Sequence, residues 1–314
     1  MKKSLVVLIL LFVASLSFAQ QDAQFSQNMY NRLPVNPAYA GSNNAICGTL
    51  IARNQWMGFD GAPKTGFIAL DAGVPAIYGG VGLTVGYDQL GFEKNLALRA
   101  AYAFRFPIAT GKLAIGIDAG FLQKSVDLNG KSWITTDGVP TNDKAIPPSG
   151  SSAMAPDFNF GVYYNTNDLY FGVSTTHLAQ GDLKYSAIQG SITTVMARHY
   201  YIIGGYSYEL NQNLTLKPSI WVKSDAASTI ADINLNVLYN NLIWGGLTYR
   251  YTDAIIALAG VNVNNFKIGF SYDMTTSSIR RYSNGTVEFM LGYCMKPNRA
   301  KPLPKNGNVR FLNF

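Results

Sequence analysis

The feature that most restricts what this chain can become is an alternation of period two that recurs to the end of the sequence. Leu96, Leu98, Ala100, Tyr102, Phe104 and Phe106 alternate with Ala97, Arg99, Ala101, Ala103 and Arg105. Ile233, Leu235, Val237 and Tyr239 alternate with Asp232, Asn234, Asn236 and Asn240, and Phe266, Ile268, Phe270 and Tyr272 with Lys267, Gly269, Ser271 and Asp273. Val287, Phe289, Leu291 and Tyr293 continue the pattern against Glu288, Met290, Gly292 and Cys294. Successive side chains on a strand point to opposite faces, so each segment has one apolar face and one polar or small face. Helices offer no competing account. Beyond the N-terminal segment, the longest stretch free of polar or charged residues is Ala72 to Leu83, which holds Pro75 and four glycines. A helix crossing a bilayer needs roughly 20 apolar residues.

Two all-β architectures use this pattern. A soluble sandwich buries the apolar face between sheets, whereas an outer-membrane barrel turns it to lipid and keeps small and polar residues inside. Fourteen segments carry the pattern, near 46–57, 65–75, 79–90, 95–107, 112–128, 158–166, 169–180, 198–210, 214–228, 231–240, 242–252, 254–264, 266–278 and 285–295. Brief turns follow the even segments (Ala109-Thr110-Gly111, Asn211-Gln212-Asn213, Asn240-Asn241, Asn264-Asn265), and longer loops follow the odd ones, including Asn129 to Asp157 and Gly181 to Ala197. Short turns on one side and long loops on the other are the habit of bacterial barrels with both termini periplasmic. Tyr163, Tyr170, Tyr200, Tyr208, Tyr249, Tyr251 and Tyr293 fall near strand ends, where an aromatic girdle belongs. Only 14% of residues are charged, against about 25% in a soluble domain. A transmembrane antiparallel barrel of about fourteen strands is the fold expected, over residues 45–295.

The ends carry their own signals. Lys2 and Lys3, an apolar stretch from Leu5 to Val13, and small residues at Ser17 and Ala19 read as a signal peptide (1–19) cut between Ala19 and Gln20. That address places the barrel in the outer membrane, in contact with its lipid. The formal charge is +7. Lys2 and Lys3 leave with the signal. Lys296, Arg299, Lys301, Lys305 and Arg310 lie in a proline-containing tail (296–314) without an acid, so residues 20–295 are neutral on balance. The basicity therefore does not indicate nucleic acid; a periplasmic tail of this charge suits anionic headgroups or an acidic partner.

Inside the barrel, Arg99, Arg105, Lys217, Lys223, Arg250 and Lys267 would share the lumen with Asp118, Asp232, Asp273 and Glu288. Such charges are tolerated where paired. Fourteen strands enclose more space than the eight that side chains can fill, which calls for a plug or inward loop. Cys47 in the first strand and Cys294 in the last become neighbours on closure. A disulfide between them is open to an exported chain if registry brings their Cα atoms within about 7 Å. Catalytic chemistry has few candidates. His177 and His199 are the only histidines, neither has metal-ligand spacing, and Ser174 should face away from His177 on a strand. No enzyme activity, cofactor or metal is expected. Gly79, Gly80, Gly82 and Gly86 lie within an alternating segment with no helix to follow, so close strand packing explains them better than a nucleotide loop.

Residues 20–44 do not alternate. They are rich in Gln and Asn, and Pro34 and Pro37 bar a continuous helix or central strand. Phe25, Met29, Tyr30, Leu33 and Tyr39 recur among the polar residues, which suits a periplasmic leader that tucks into the barrel mouth or meets a partner. The first hairpin loop runs from Arg53 to Thr65 and contains Gln55, Trp56, Phe59, Asp60 and Lys64. Aromatics with Arg are typical of binding hot spots, and a Trp at a barrel rim equally of interfacial anchoring.

Gln24-Phe25-Ser26-Gln27 with Met29 and Asn31, then Asn36-Pro37-Ala38-Tyr39-Ala40-Gly41, then Arg53-Asn54-Gln55-Trp56 and Phe59-Asp60-Gly61-Ala62-Pro63-Lys64-Thr65, resemble the PorP/SprF family of outer-membrane proteins. That family belongs to the type IX secretion and gliding machinery of Bacteroidota. The sharp resemblance covers residues 24–65, and Arg32 stands where the family's leader suggests a proline. The resemblance implies a barrel that engages the C-terminal domain of a large secreted, adhesin-like surface protein for its export and anchoring, or that associates with periplasmic components of the machinery. On it, Arg53, Gln55, Trp56, Phe59, Asp60 and Lys64 of the loop, and Phe25, Gln27 and Tyr39 of the leader, are the partner-binding candidates. A transport barrel for a hydrophobic or small solute is the alternative.

Overall fold

A computed structural model describes residues 22–128, 147–186 and 191–296. The expected signal peptide and its cleavage site, and the tail beyond Lys296, lie outside the described residues. Among the described residues there are seventeen strands: β1 (Ile46–Asn54), β2 (Lys64–Val74), β3 (Gly79–Leu90), β4 (Glu93–Ile108), β5 (Gly111–Val126), β6 (Ser152–Asn165), β7 (Leu169–Thr176), β8 (Asp182–Ser186), β9 (Ser191–Val195), β10 (His199–Tyr206), β11 (Tyr208–Asn211), β12 (Leu214–Ser224), β13 (Thr229–Tyr239), β14 (Ile243–Arg250), β15 (Ala254–Val263), β16 (Phe266–Thr275) and β17 (Thr286–Met295). Strands β8 and β9 form a separate hairpin. Strands β10 and β11, interrupted only at Ser207, serve as one barrel strand beside β12. The remainder pair antiparallel with their neighbours in sequence, and β1 pairs with β17. The result is a closed antiparallel barrel of fourteen strands, sealed where β1 meets β17. None of the described helices is long and apolar enough to cross a membrane; crossing falls to the strands.

The alternation divides outside from inside. Along β13, Ile233 and Leu235 are 61% and 50% exposed, while Asp232, Asn234 and Asn236 are buried. Ile68, Leu70, Leu96, Leu98, Phe104, Leu247 and Phe270 join the outward apolar belt, which fits lipid and would be an aggregation surface in water.

The structure departs from the sequence expectations in several places. Strand β6 starts at Ser152, not near 158, because Pro156 does not interrupt it. Residues 152–159 pair only with β5, so the proline lies on a free edge, where the missing N–H disrupts no ladder. The segment expected as a loop from Gly181 to Ala197 contains the β8–β9 hairpin, whose Leu183 and Tyr185 pack with Ala153, Ala155, Val126 and Met196. Loop lengths alternate less regularly than expected, since Gly91 and Phe92 alone connect β3 to β4. Tyr163 and Tyr170 face the lumen and not the lipid, whereas Tyr200, Tyr208, Tyr249, Tyr251 and Tyr293 are exposed as a girdle requires.

At the seam, the β1–β17 register sets Cys47 directly opposite Cys294, their Cα atoms 4.1 Å apart and their sulfurs joined. The lumen holds the leader. It passes from the loop end of the barrel at Asp22 to the end where β1 begins, through 3-10 turns at Asn28–Tyr30 and Pro37–Tyr39. Met29, Leu33 and Ala40 pack onto Ile51, Phe67, Ala101 and Met290 of the inner wall. Asn36 caps the second turn by accepting the Ala38 N–H, and its amide donates to the carbonyls of Val162 and Val173. Gly116, Gly161 and Gly80 line this path. A Cβ on Gly116 would overlap the Ala38 backbone, and one on Gly80 the backbone of Ala40 and Gly41. Close approach by the leader thus accounts for Gly80 and Gly82 of β3, while Gly79 lies against Ala103 of β4 and Gly86 against Phe67 of β2.

Candidate functional site: a leader-filled lumen and its loop-end rim

Alternation aims Arg53, Asp273, Glu288, Asp232 and Arg250 inward from five strands at the loop end, and the leader supplies the groups between them. The Glu288 carboxylate accepts two successive backbone N–H groups, Ser26 and Gln27, each at 2.8 Å. The Ser26 hydroxyl bonds to Asp273 at 2.7 Å and accepts from the Arg53 guanidinium at 2.6 Å. Arg53 bridges Asp273 at 2.8 Å and Glu288 at 3.0 Å. Arg250 grips Asp232 through two nitrogens, at 2.9 and 3.0 Å, and donates to the carbonyl of Phe25. The Asn28 amide also donates to Asp232. Two guanidinium groups thus bridge three buried carboxylates, with leader amides and a hydroxyl filling the remaining hydrogen-bond positions. Buried ion pairs hold only when partnered in this way.

A second group fastens the start of the described leader. In the loop past β7, His177 bonds through Nε2 to Asp22 and through Nδ1 to Asp157, both at 2.8 Å. Tyr201 donates to the Asp22 carboxylate, and Lys223 to its carbonyl. Arg99 joins Asp157 to the carbonyl of Pro34. Burial alone would lower the His177 pKa, but the Asp22 and Asp157 carboxylates overcome it and raise it to about 10. Burial likewise opposes ionisation of Asp22, yet the His177 and His199 charges and the Lys223 ammonium hold it well below the usual carboxylate range. Asp22, His177 and His199 offer ligand atoms within 4.8 Å of one another, the spacing a small cation could use. Both ring nitrogens of His177 are already engaged by carboxylates, so the group works as a charged clamp. Sequence spacing could not show it, because Asp22 is 155 positions from His177.

The partner-binding candidates separate by location. Arg53 and Gln27 are buried in the lumen, and Phe25 and Tyr39 are half-buried there, Phe25 edge-on to Phe67 and Tyr39 to Tyr163. Gln55 and Trp56 are half-buried in the loop after β1. That loop is tied to the loop before β17, since the Trp56 N–H donates to Thr286 Oγ1 at 2.9 Å and the Met57 N–H to the Gly285 carbonyl at 2.8 Å. Phe59, Asp60 and Lys64 are exposed at the rim. The motifs therefore form one assembly: Ser26-Gln27 and Arg53 are two sides of a single network, and Asn36-Pro37-Ala38 seats on the wall glycines. Asp273 and Glu288 complete it from the far end of the sequence.

Among solved structures, the fold is similar to the CymD monoaromatic hydrocarbon channel, with 13% identity, a TM-score of 0.47, and coverage of 86% of this chain and 92% of that one. It is also similar to a deltaS2S3 mutant of the TodX monoaromatic hydrocarbon channel (11%, 0.48, 87% and 95%) and to the Ralstonia pickettii toluene transporter TbuX (14%, 0.44, 85% and 92%). No curated protein matches the sequence. The family described as type IX secretion system membrane protein PorP/SprF matches residues 17–293, most of the chain. With its closed barrel and its motifs joined in the lumen, this chain belongs to the PorP/SprF family of type IX secretion membrane proteins of the outer membrane.

Proposed function

We propose that this barrel binds the C-terminal domain of a secreted, adhesin-like protein at its loop-end rim, for export, surface anchoring and gliding, and that it acts without catalysis. The observation that carries the reading is the leader in the lumen. A barrel whose interior is threaded and ion-paired by its own chain is better suited to hold a partner on its rim than to pass solute. Exposed Phe59 and Asp60, on a loop fixed by Thr286 and Gly285, and Lys64 at the start of β2 form the face offered. The start of β1 and the end of β17 lie at the opposite mouth, which would face the periplasm and other components of the machinery. Removal of a signal peptide before Gln20 leaves a short mature terminus ahead of Asp22, compatible with its clamp inside the barrel.

Affinity purification of the barrel from its native membrane should recover a large secreted protein. Phe59→Ala with Lys64→Glu should reduce that recovery several-fold while the heat-modifiable migration of the barrel stays unchanged. Unaltered surface proteins and gliding on deletion would sink the proposal. Solute uptake by the purified, leader-containing barrel would favour the transport alternative.

A further inference from the structure

The two halves of the lumen are charged differently. At the loop end every inward Arg meets a carboxylate: Arg53 with Asp273 and Glu288, Arg250 with Asp232, Arg99 with Asp157. At the other end a cavity of about 990 Å³ opens between Asn43, Asn165, Tyr206, Asn264 and Lys296. Into it project Arg32 of the leader, Lys217 of β12 and Lys267 of β16. Among the described residues, none of the three has an acidic partner. Arg32 donates to the Tyr163 hydroxyl and lies 3.5 Å over the Tyr170 ring, while the Lys267 ammonium sits 4.1 Å over the Tyr30 ring. The carboxylates on the same cavity do not neutralise them. Asp71 accepts the Gly41 N–H, and Asp168 stands exposed on a turn at the rim.

Other buried groups on the same wall also lack partners. Both amide atoms of Asn31 and of Asn236 are without a hydrogen bond, as are Ser219 Oγ and Arg32 Nε. Asn31 and Asn236 are only 3% and 2% exposed. Buried polar atoms are normally satisfied, so such a concentration needs an explanation. Water can satisfy an amide, but it does not neutralise three cations gathered in a protein interior, where their repulsion is weakly screened. The cavity is at the upper end of the range for ligand pockets, about 300–1,000 Å³.

We propose that this terminal-end cavity is a binding site for an acidic peptide segment, whose carboxylates meet Arg32, Lys217 and Lys267 and whose backbone meets the free amides of Asn31 and Asn236. An Asn side chain offers one donor face and one acceptor, the complement of a peptide unit, and this favours a peptide over a simple inorganic anion. The site lies at the opposite mouth from the rim of the proposed cargo contact. Its test reads binding and not secretion, so the two proposals fail separately.

A rhodamine-labelled hexapeptide of alternating Glu and Gly, and the same peptide with Gln for Glu, would be titrated against the full barrel in detergent and followed by anisotropy. The Glu peptide should bind at least tenfold more tightly than the Gln peptide, with affinity falling as salt rises. Lys217→Gln with Lys267→Gln should weaken it tenfold or more, while Lys184→Gln, on the exposed β8 hairpin at the other end, should leave it unchanged. In the unaltered protein, carbodiimide coupling of the Glu peptide should map to Lys217 or Lys267, a readout that does not depend on the variant folding. Equal affinity for both peptides, coupling confined to other lysines, or binding of citrate or phosphate without the Glu peptide would overturn the proposal.

Discussion

At the scale of single residues, the loop-end network is arranged so that a lost group exposes its partners. Arg53→Ala would leave Asp273 and Glu288 buried with their shared guanidinium gone. Removing one member of a buried pair costs about 3–5 kcal/mol, so urea unfolding followed by tryptophan fluorescence should show a loss of that order. Arg53→Lys should lose less, since it keeps the charge but not the two-pronged geometry. The Asp22–His177 clamp gives a pH signature. With its pKa raised from 6.5 to about 10, protonated His177 contributes fully below pH 6.5 and loses that contribution as pH rises through 10. With its pKa held below 3.8, Asp22 contributes fully above that value and loses its contribution in acid. The barrel should therefore be most stable between about pH 4 and 6.5 with respect to this pair. Compared with His177→Gln, the unaltered protein should lose its stability advantage between pH 7 and 10, as read from thermal midpoints across that range.

At the scale of elements, the strands and the leader obey different rules. Each of the fourteen barrel strands was legible in outline because burial on one face and lipid on the other repeat every two residues, as along β13, whereas the separate β8–β9 hairpin was not. The leader was legible only as a segment that could be neither helix nor strand. Its course depends on distant glycines, such as Gly116 beside Ala38 and Gly161 beside Asn36, and on the Asp273 and Glu288 carboxylates near the far end of the chain. Gly116→Leu should stop Ala38 of the leader from seating against β5 while sparing the strand ladder. The barrel should still migrate as a folded, heat-modifiable species, but residues around Asn36 should become sensitive to protease and the lumen should conduct ions in a planar bilayer. A protected leader with unchanged conductance would show that the wall glycines do not set its path. The partner-binding candidates were chosen for residue type, and type alone could not separate Arg53, inside the lumen, from Phe59, on the rim.

At the scale of the whole molecule, closure of the barrel rests on the β1–β17 seam, where ladder hydrogen bonds and the Cys47–Cys294 disulfide act together. The bond joins residues 247 positions apart. In the chain-entropy account, constraining so long a loop in the unfolded chain is worth about 5 kcal/mol. Cys47→Ser should therefore lower the temperature at which the barrel loses its compact migration in detergent gels, and a reducing agent should lower it in the unaltered protein but not in the variant. Folded-state function at the rim should survive, because the seam cysteines lie at the opposite end from Phe59 and Lys64.

The alternation by itself determined that this chain forms strands with one apolar and one polar or small face, because a strand's two faces are written locally, two residues at a time; segment count, turn lengths and low charge content then favoured a fourteen-stranded barrel over a sandwich. The motifs placed it beside its family for the same reason, as short ordered strings. Only the tertiary structure decided what those strings do. It threaded the leader through the lumen, closed Ser26 and Gln27 onto Arg53 and Glu288, turned Tyr163 and Tyr170 inward, and left Lys217 and Lys267 without an acidic partner among the described residues. Each of these depends on which distant residues share the interior once the first strand meets the last, and that is settled by closure and register, which no local pattern encodes.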